Sequence, residues 1–340
     1  MIGYYVHHQG RGHLHRAMSI CAHVREPVTV LSSLPRPADW AEGWIALPPD
    51  TVDSPADPTA GGRLHWVPLH HAGLRERMGI IAEWIRREEP RLFVSDVSVE
   101  AATLARLMGT PVVVAAMRGD RSDEAHRLAY DFSDALLAPW PQSCPEPGWP
   151  PHWQAKTLYT GSISRYDGRP RRAPGNGCEN AGREVVVMLG GGGTDLSGAQ
   201  LRNAAEATPG WTWTALAGPG TDWVEDPWPI LCRADVVVTH AGQNAIAECA
   251  AARVPTIVIP QDRPHGEQHA TARALRRAEL ATVLDAWPAS GEWPALLEDA
   301  AVRVRDRWEL WSPGDGAQRA ARLLSGLALG APERIACGPR

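Results

Sequence analysis

Three stretches of this 340-residue chain concentrate groups that can do chemistry. HHQGRGHLHR, residues 7–16, sets His7, His8, His13 and His15 among Gly10, Gly12 and Arg16, directly behind an apolar run. The run Gly190, Gly191, Gly192 and Gly193 is followed by Thr194. THAGQNAIAE, residues 239–248, brings His240, Gly242, Gln243 and Asn244 ahead of Glu248. An imidazole, with an ordinary pKa of about 6.5, takes up a proton near neutral pH. Glycines let backbone N–H groups approach an anion, and a helix N-terminus favours negative charge there. A carboxylate on a helix accepts hydrogen bonds from a ribose diol.

Several chemistries are excluded by what stands at the neighbouring positions. A dinucleotide fingerprint G-x-G-x-x-G wants a third glycine where His15 stands. It also wants an acid at the end of the next strand, which closes on Leu31, Ser32 and Ser33. A Walker loop needs Gly-Lys-Ser/Thr, and Thr194 follows Gly193 with no lysine between them. Lys156 is the only lysine in the chain, so positive charge rests almost wholly on arginine. Composition by itself leaves the glycine run either a flexible turn or a phosphate cradle. The 239–248 stretch is stronger: an imidazole and open amides in one turn suit a pyrophosphate, and the carboxyl end of a strand is where α/β sheets bind ligands.

No metal is expected. The four N-terminal histidines lack a nearby carboxylate or cysteine, no DxD motif occurs, and the six cysteines include no CxxC pair. Net charge is −5, which gives no basic field for nucleic acid. No apolar run reaches the roughly 20 residues of a membrane span, and no charged n-region precedes an apolar segment. The chain therefore reads as cytoplasmic and reduced.

Short apolar runs alternate with helical patterns, which predicts parallel sheets built from βα units. The strands expected in the first half are IGYYV, PVTVLS, RLFVS, PVVVAA and a weaker ALLAP. Helical stretches LHRAMSICAHV, LRERMGIIAEWIRREE and VEAATLARLMG fall between them. A second series follows: EVVVMLGGGG, WTWTALAG, ADVVVTHAG, PTIVIPQ and LATVL. Periodicity fails in between, where Gly, Pro, Arg and Asn dominate. The expected organisation is an N-terminal α/β domain over 1–160, a linker over 161–183 and a second α/β domain over 184–328. The last helical segments either finish the second domain or pack back on the first.

H-x-G-x-N-x-x-x-E, read as His240, Gly242, Asn244 and Glu248, resembles the nucleotide-sugar signature of GT-B glycosyltransferases, among them the UDP-sugar transferases and MurG. AECAAARVPTIVIPQ continues the likeness, and Glu267 and Gln268 fall where the family has an acid–Gln or Gln–Gln pair touching the donor sugar. The resemblance implies the GT-B fold, two Rossmann-like parallel-sheet domains facing across a cleft. It implies a nucleoside diphosphate-sugar donor held by Gly190–Gly193, Thr194, His240, Gly242, Gln243 and Asn244, with ribose on Glu248 and the sugar on Glu267 and Gln268. The base falls near Trp223 to Asp226. A hydroxyl-bearing small-molecule or lipid-linked acceptor, and no cofactor, complete the picture.

GRGHLHRA fits the same family, which places a Gly-rich turn and a histidine after the first strand. By position that histidine is His13, the general base, with Asp96 after RLFVS as its carboxylate partner. Gly10 and Gly12 lie on the same side, and Arg16 is placed to bond a donor phosphate or the acceptor. Transfer is then metal-independent and inverting. GHLHR also matches G-H-x-x-R of the PseG-type nucleotide-sugar hydrolases, so hydrolysis is one alternative and a non-catalytic sugar-nucleotide-binding protein another. LHWVPLHHAGLRER and AAMRGDRSDEAHR are expected to line an acceptor pocket. Trp40, Trp44, Trp66 and Trp84 either form an exposed patch for peripheral membrane contact, as in MurG, or pack inside.

Overall fold

The computed structural model describes residues 1–8, 11–171, 183–189, 193–216, 224, 226–303 and 305–330. The chain divides into two compact units. Unit 1 takes Met1–Pro139, Pro147–Thr160 and the chain from Ala317; unit 2 takes Trp140–Glu146 and Gly161–Gly316.

Unit 1 begins β1 (Ile2–Val6), α1 (Arg11–Cys21), β2 (Val28–Ser32), β3 (Gly43–Ala46) and α2 (Ala72–Glu88). It continues β4 (Leu92–Asp96), α3 (Val99–Leu107), β5 (Val112–Ala115), α4 (Glu124–Phe132), β6 (Ala135–Ala138), α5 (Pro151–Ala155) and β7 (Thr157–Tyr159). The strands form one parallel sheet in the order β3-β2-β1-β4-β5-β6-β7. Every residue of β1, β2, β4, β5 and β6 is buried, as parallel strands covered on both faces must be. Gly3 is needed at the centre of β1, because a Cβ there would lie 2.6 Å from the Trp84 ring of α2. The helix can therefore settle directly onto the sheet. The sequence did not anticipate β3 and β7, each of at most four residues.

Unit 2 contains β8 (Arg183–Met188), α6 (Gly198–Glu206), β9 (Trp211–Ala215), α7 (Trp228–Arg233), β10 (Val236–Thr239) and α8 (Gln243–Ala252). Then come β11 (Thr256–Val258), α9 (Glu267–Arg277), β12 (Thr282–Val283) and α10 (Trp293–Ala301). Its parallel sheet runs β12-β11-β10-β8-β9. Alternation along β8 sends Val186 and Met188 into a core with Trp228, Leu231 and Cys249. Val185 and Val187 enter a second core on the opposite face, with Ala204, Trp293 and Leu297. A period of two thus closes two layers at once. The last helix, α11 (Gly316–Ala328), belongs to unit 1 from Ala317 onward.

Residues 161–171, read from composition as linker, are part of unit 2. Ser162 N donates to Trp311 O at 2.8 Å, and Tyr166 packs in the core beside Trp228. The rest of the expected linker, 172–182, lies outside the described residues. Trp40 and Trp84 are buried, and Trp44 and Trp66 are half-buried, with Trp66 donating its indole N–H to Asp50 O. None of these four tryptophans is exposed. No helix among the described residues is long and apolar enough to cross a membrane.

Candidate active site

In unit 1 the chain leaves β1 for β2 and β3 on one side, then returns to β4 on the other. That reversal falls at the carboxyl ends of β1 and β4, where α/β sheets gather functional groups. Val6 and Asp96 are paired partners at those ends. Helix α1 starts at Arg11, so Gly12 and His13 lie in its first turn and not in an open loop. Gly10 lies outside the described residues.

His13 Nδ1 is 2.8 Å from Asp96 Oδ1. Asp96 is fully buried and ionised: burial alone would raise its carboxyl, but Arg16 and then His13 outweigh that and hold it well below the ordinary carboxylate range. Asp96 has no proton to give, so in this contact His13 donates from Nδ1, while Arg16 Nη2, 3.1 Å from the same nitrogen, gives its hydrogen to Asp96 Oδ1. His13 Nε2 is left as the basic nitrogen. Arg16 donates from Nε to Asp96 Oδ2 at 2.9 Å and from Nη2 to Oδ1, and Tyr4 Oη reaches Oδ2 at 3.4 Å. The Arg16 side chain is 4% exposed. Arg16, expected to bond a donor phosphate or the acceptor, is paired here with Asp96 and is the counterion that keeps the carboxylate charged.

The histidines of 7–16 divide as their burial requires. His7 stacks on His8 with centroids 4.7 Å apart and meets His13 edge-on at 6.1 Å. Burial, then its neighbours His8 and His13, lowers the His7 pKa to about 3, and burial lowers that of His8. Both are neutral near pH 7. Folding also supplies the carboxylates that the local sequence lacks: Asp96 beside His13, and Asp50 at 3.8 Å from His8.

Sequence reasoning missed the buried ion pair next to this site. Arg77 on α2 is 1% exposed; it pairs with Asp50, reaches Ser33 Oγ, and donates to Tyr5 Oη at 3.2 Å and Pro48 O at 3.0 Å. Positions 77, 81, 84 and 85 share one helical face, and Ile81, Trp84 and Ile85 are buried with it. That spacing was a readable signal.

In unit 2 the sheet reverses between β8 and β10, and Met188 pairs with Thr239 at the carboxyl ends. Gly190, Gly191 and Gly192 lie outside the described residues; Gly193 has φ 89°. Thr194 follows and meets His240 Nε2 at 3.1 Å, while His240 Nδ1 donates to Ile259 O at 2.8 Å. The carbonyl fixes the proton on Nδ1, so Nε2 accepts from the Thr194 hydroxyl. Burial lowers the His240 pKa, and the ring is neutral. Gly242 is the N-cap of α8, and no side-chain cap bond covers the helix among the described residues. The first turn of α8, with Gln243 and Asn244, thus stands at the carboxyl end of β10.

Two arginines missing from the sequence-based site belong to this region. Arg263 Nη2 donates to Gly193 O at 3.0 Å and Gln261 Oε1 at 2.9 Å, which puts a guanidinium on the glycine turn. Arg165 Nε donates to Glu248 Oε1 at 2.9 Å. Glu248 is buried, and burial raises its carboxyl even against Arg165. Arg165 was hidden because its segment reads as linker, and Arg263 because a lone arginine in a loop carries no pattern. Gln268 is buried, and its Oε1 accepts from Gln261 N at 2.9 Å; Glu267 begins α9 beside it. Of the expected base-binding segment, Trp223 lies outside the described residues, and Asp226 is held by both Arg169 amino groups at 3.0 and 2.9 Å. Lys156 donates to Asp131 O and Ser133 O at 2.9 and 2.7 Å, so the single lysine is engaged in unit 1.

Residues 221–295 match the glycosyltransferase family 28 C-terminal domain. An uncharacterized glycosyltransferase of Methanopyrus kandleri is 23% identical, covering 71% of this chain and 77% of the relative. The UDP-N-acetylglucosamine–N-acetylmuramyl-(pentapeptide) pyrophosphoryl-undecaprenol N-acetylglucosamine transferase of Chlorobium luteolum is 25% identical, covering 93% of this chain and 94% of its own. The crystal structure of MurG from Acinetobacter baumannii superposes with a TM-score of 0.61 at 13% identity, over 95% of this chain and 98% of that one. With a family 28 domain on its second sheet and this fold along nearly its whole length, the chain is a glycosyltransferase of the GT-B type.

Proposed function

We propose that the protein moves a sugar from a nucleoside diphosphate-sugar to an acceptor hydroxyl by a single inverting displacement, without a metal at the diphosphate. The observation that carries this reading is the His13–Asp96 pair, with the proton fixed on Nδ1 and a basic Nε2. His13 Nε2 takes the acceptor proton as the acceptor oxygen bonds to the anomeric carbon. The bond from that carbon to the diphosphate oxygen breaks, and its electron pair leaves with the nucleoside diphosphate. Asp96 then stabilises the imidazolium.

The donor lies on unit 2 in this reading. The open end of α8, the Thr194–His240 pair and the Arg263 guanidinium receive the diphosphate, and these preorganised donors do the work a metal does elsewhere. Glu248, steadied by Arg165, takes the ribose through its second oxygen; Glu267 and Gln268 take the sugar. The acceptor is a small molecule or a lipid-linked one, and the enzyme works in the cytoplasm. The name of the Chlorobium relative puts UDP-N-acetylglucosamine first among donors to try.

A second reading has its own observation: His13 and Arg16, the two side chains of the G-H-x-x-R match, both bond Asp96. The same base could serve a water and make the enzyme a hydrolase. The test is to incubate the protein with UDP-, dTDP- and GDP-sugars in EDTA without acceptor, following nucleoside diphosphate and free sugar. Tight donor binding with slow release is expected of a transferase. Rapid stoichiometric release of one donor, abolished by His13→Ala, would overturn transfer in favour of hydrolysis. Binding without any turnover, with or without acceptors, would leave a sugar-nucleotide-binding protein.

A further inference from the structure

The two segments expected to line an acceptor pocket, 64–77 and 115–127, meet in unit 1 through three side chains that the proposed reaction does not use. Asp123 sits between two imidazoles: His65 Nε2 lies 3.2 Å from its Oδ1, and His126 Nδ1 lies 2.6 Å from its Oδ2. The two rings meet edge-on with centroids 4.3 Å apart. One ligand atom from each residue can be chosen so that all lie within 4.8 Å of one another. From this juxtaposition we propose a binding site for a divalent cation of the zinc class, made by His65, Asp123 and His126.

The arrangement is held in place before any ion arrives. The backbone N–H groups of His65 and Trp66 both donate to Glu100 Oε1, at 2.7 and 3.0 Å. The Trp66 indole anchors to Asp50 O at 2.7 Å. Arg63, two residues before His65, pairs with Glu124 at the start of α4. On the other side Asp123 caps α4, accepting from His126 N at 3.0 Å, which fixes the carboxylate rotamer. Two loosely related segments thus present their donors from fixed backbones. The entropy lost when an ion binds is correspondingly small.

The donor set selects the ion. Two imidazole nitrogens and one carboxylate oxygen suit Zn²⁺, which takes such ligands at about 2.0–2.2 Å, and suit Co²⁺ or Ni²⁺ similarly. Mg²⁺ and Ca²⁺ want oxygen ligands and are disfavoured. Water completes the coordination. The protons balance within the protein. With Asp123 ionised, the imidazole nitrogens facing it carry hydrogen; when the ion takes those nitrogens, each proton moves to the other nitrogen of its ring. On His126 that is Nε2, which lies 3.3 Å from Arg121 Nη1, so binding requires Arg121 to give up that contact. The ion would tie the 51–71 loop to α4. The three residues belong to unit 1, and the proposal stands whichever reaction the enzyme performs.

The test uses the full chain stripped with chelator and titrated with Zn²⁺ alone by calorimetry, then with Co²⁺ by visible absorption. One tight equivalent of Zn²⁺ is expected, unaffected by excess Mg²⁺. His65→Ala and Asp123→Asn should each weaken it about tenfold or more, as losses around metal sites do. Asn still caps a helix and His65 lies on a loop, so both variants should fold, which circular dichroism checks. No saturable one-equivalent binding by the wild type, binding undiminished in either folded variant, or displacement by Mg²⁺ overturns the proposal.

Discussion

Replacing Asp96 by Asn separates the catalytic reading of the dyad from a purely structural one. Asn keeps the shape but not the charge, and two consequences follow from the geometry. Its amide can donate to His13 Nδ1, which sends the imidazole proton to Nε2 and removes the lone pair that would take the acceptor proton. Misplacing a general base lowers the rate by about 10²–10⁴, which is about 3–5 kcal/mol of barrier. The second consequence is thermodynamic: Arg16, 4% exposed, loses its counterion. Breaking one side of a buried pair destabilises by about 3–5 kcal/mol. The assay therefore measures nucleoside diphosphate release per folded molecule, with an unfolding midpoint taken on the same sample. The rate should fall by two decades or more in Asp96→Asn, in line with the range above. His13→Ala combined with Asp96→Asn should be no slower than His13→Ala alone, because the two residues act as one unit. An Asp96→Asn protein with a lowered midpoint but wild-type turnover would refute the reasoning and leave Asp96 a structural counterion.

Three other outcomes are expected. If Arg263 receives the diphosphate as proposed, Arg263→Gln should weaken UDP or dTDP binding while leaving uridine or thymidine binding unchanged; calorimetry with each pair decides, and equal losses for both would exclude the role. Arg77→Met leaves Asp50 buried without its cation and should lower stability by about 3–5 kcal/mol, with part recovered by adding Asp50→Asn, read from denaturant midpoints at constant slope. The depressed pKa of His7, about 3 against an ordinary 6.5, means the folded state holds the neutral ring. Its contribution is complete above pH 6.5 and is lost as pH falls toward 3, because the unfolded chain binds the proton first. His7→Leu should therefore flatten the loss of stability between pH 6.5 and 4, and an unchanged slope in urea titrations would show that other groups carry it.

What the sequence determined by itself is local. Apolar runs such as VVVA and VVVT predict strands buried on both faces, and they are. Gly242 ahead of QNAIAECAAA predicts a helix with an open first turn, because its cap has no side chain to cover the N–H groups. The His240–Glu248 spacing and GRGH pointed to a GT-B glycosyltransferase, and the family 28 match over residues 221–295 and the GT-B fold agree. Composition misled where packing is dispersed: residues 161–171 look like linker, yet Tyr166 lies in a core and Arg165 holds Glu248.

Tertiary structure decided which groups share a site and in what protonation state. Asp96 is separated from His13 by 83 positions, and only the parallel pairing of β1 with β4 puts them 2.8 Å apart. Arg16 reads as a group placed to bond a phosphate or the acceptor, and only the fold shows it buried on that carboxylate. His65 and Asp123, 58 positions apart, become neighbours where the loop before α2 meets the start of α4. Sequence spacing fixes side-chain direction over a few residues, through the helix and strand periods. Beyond that range, strand order at each sheet reversal sets proximity, and burial sets charge.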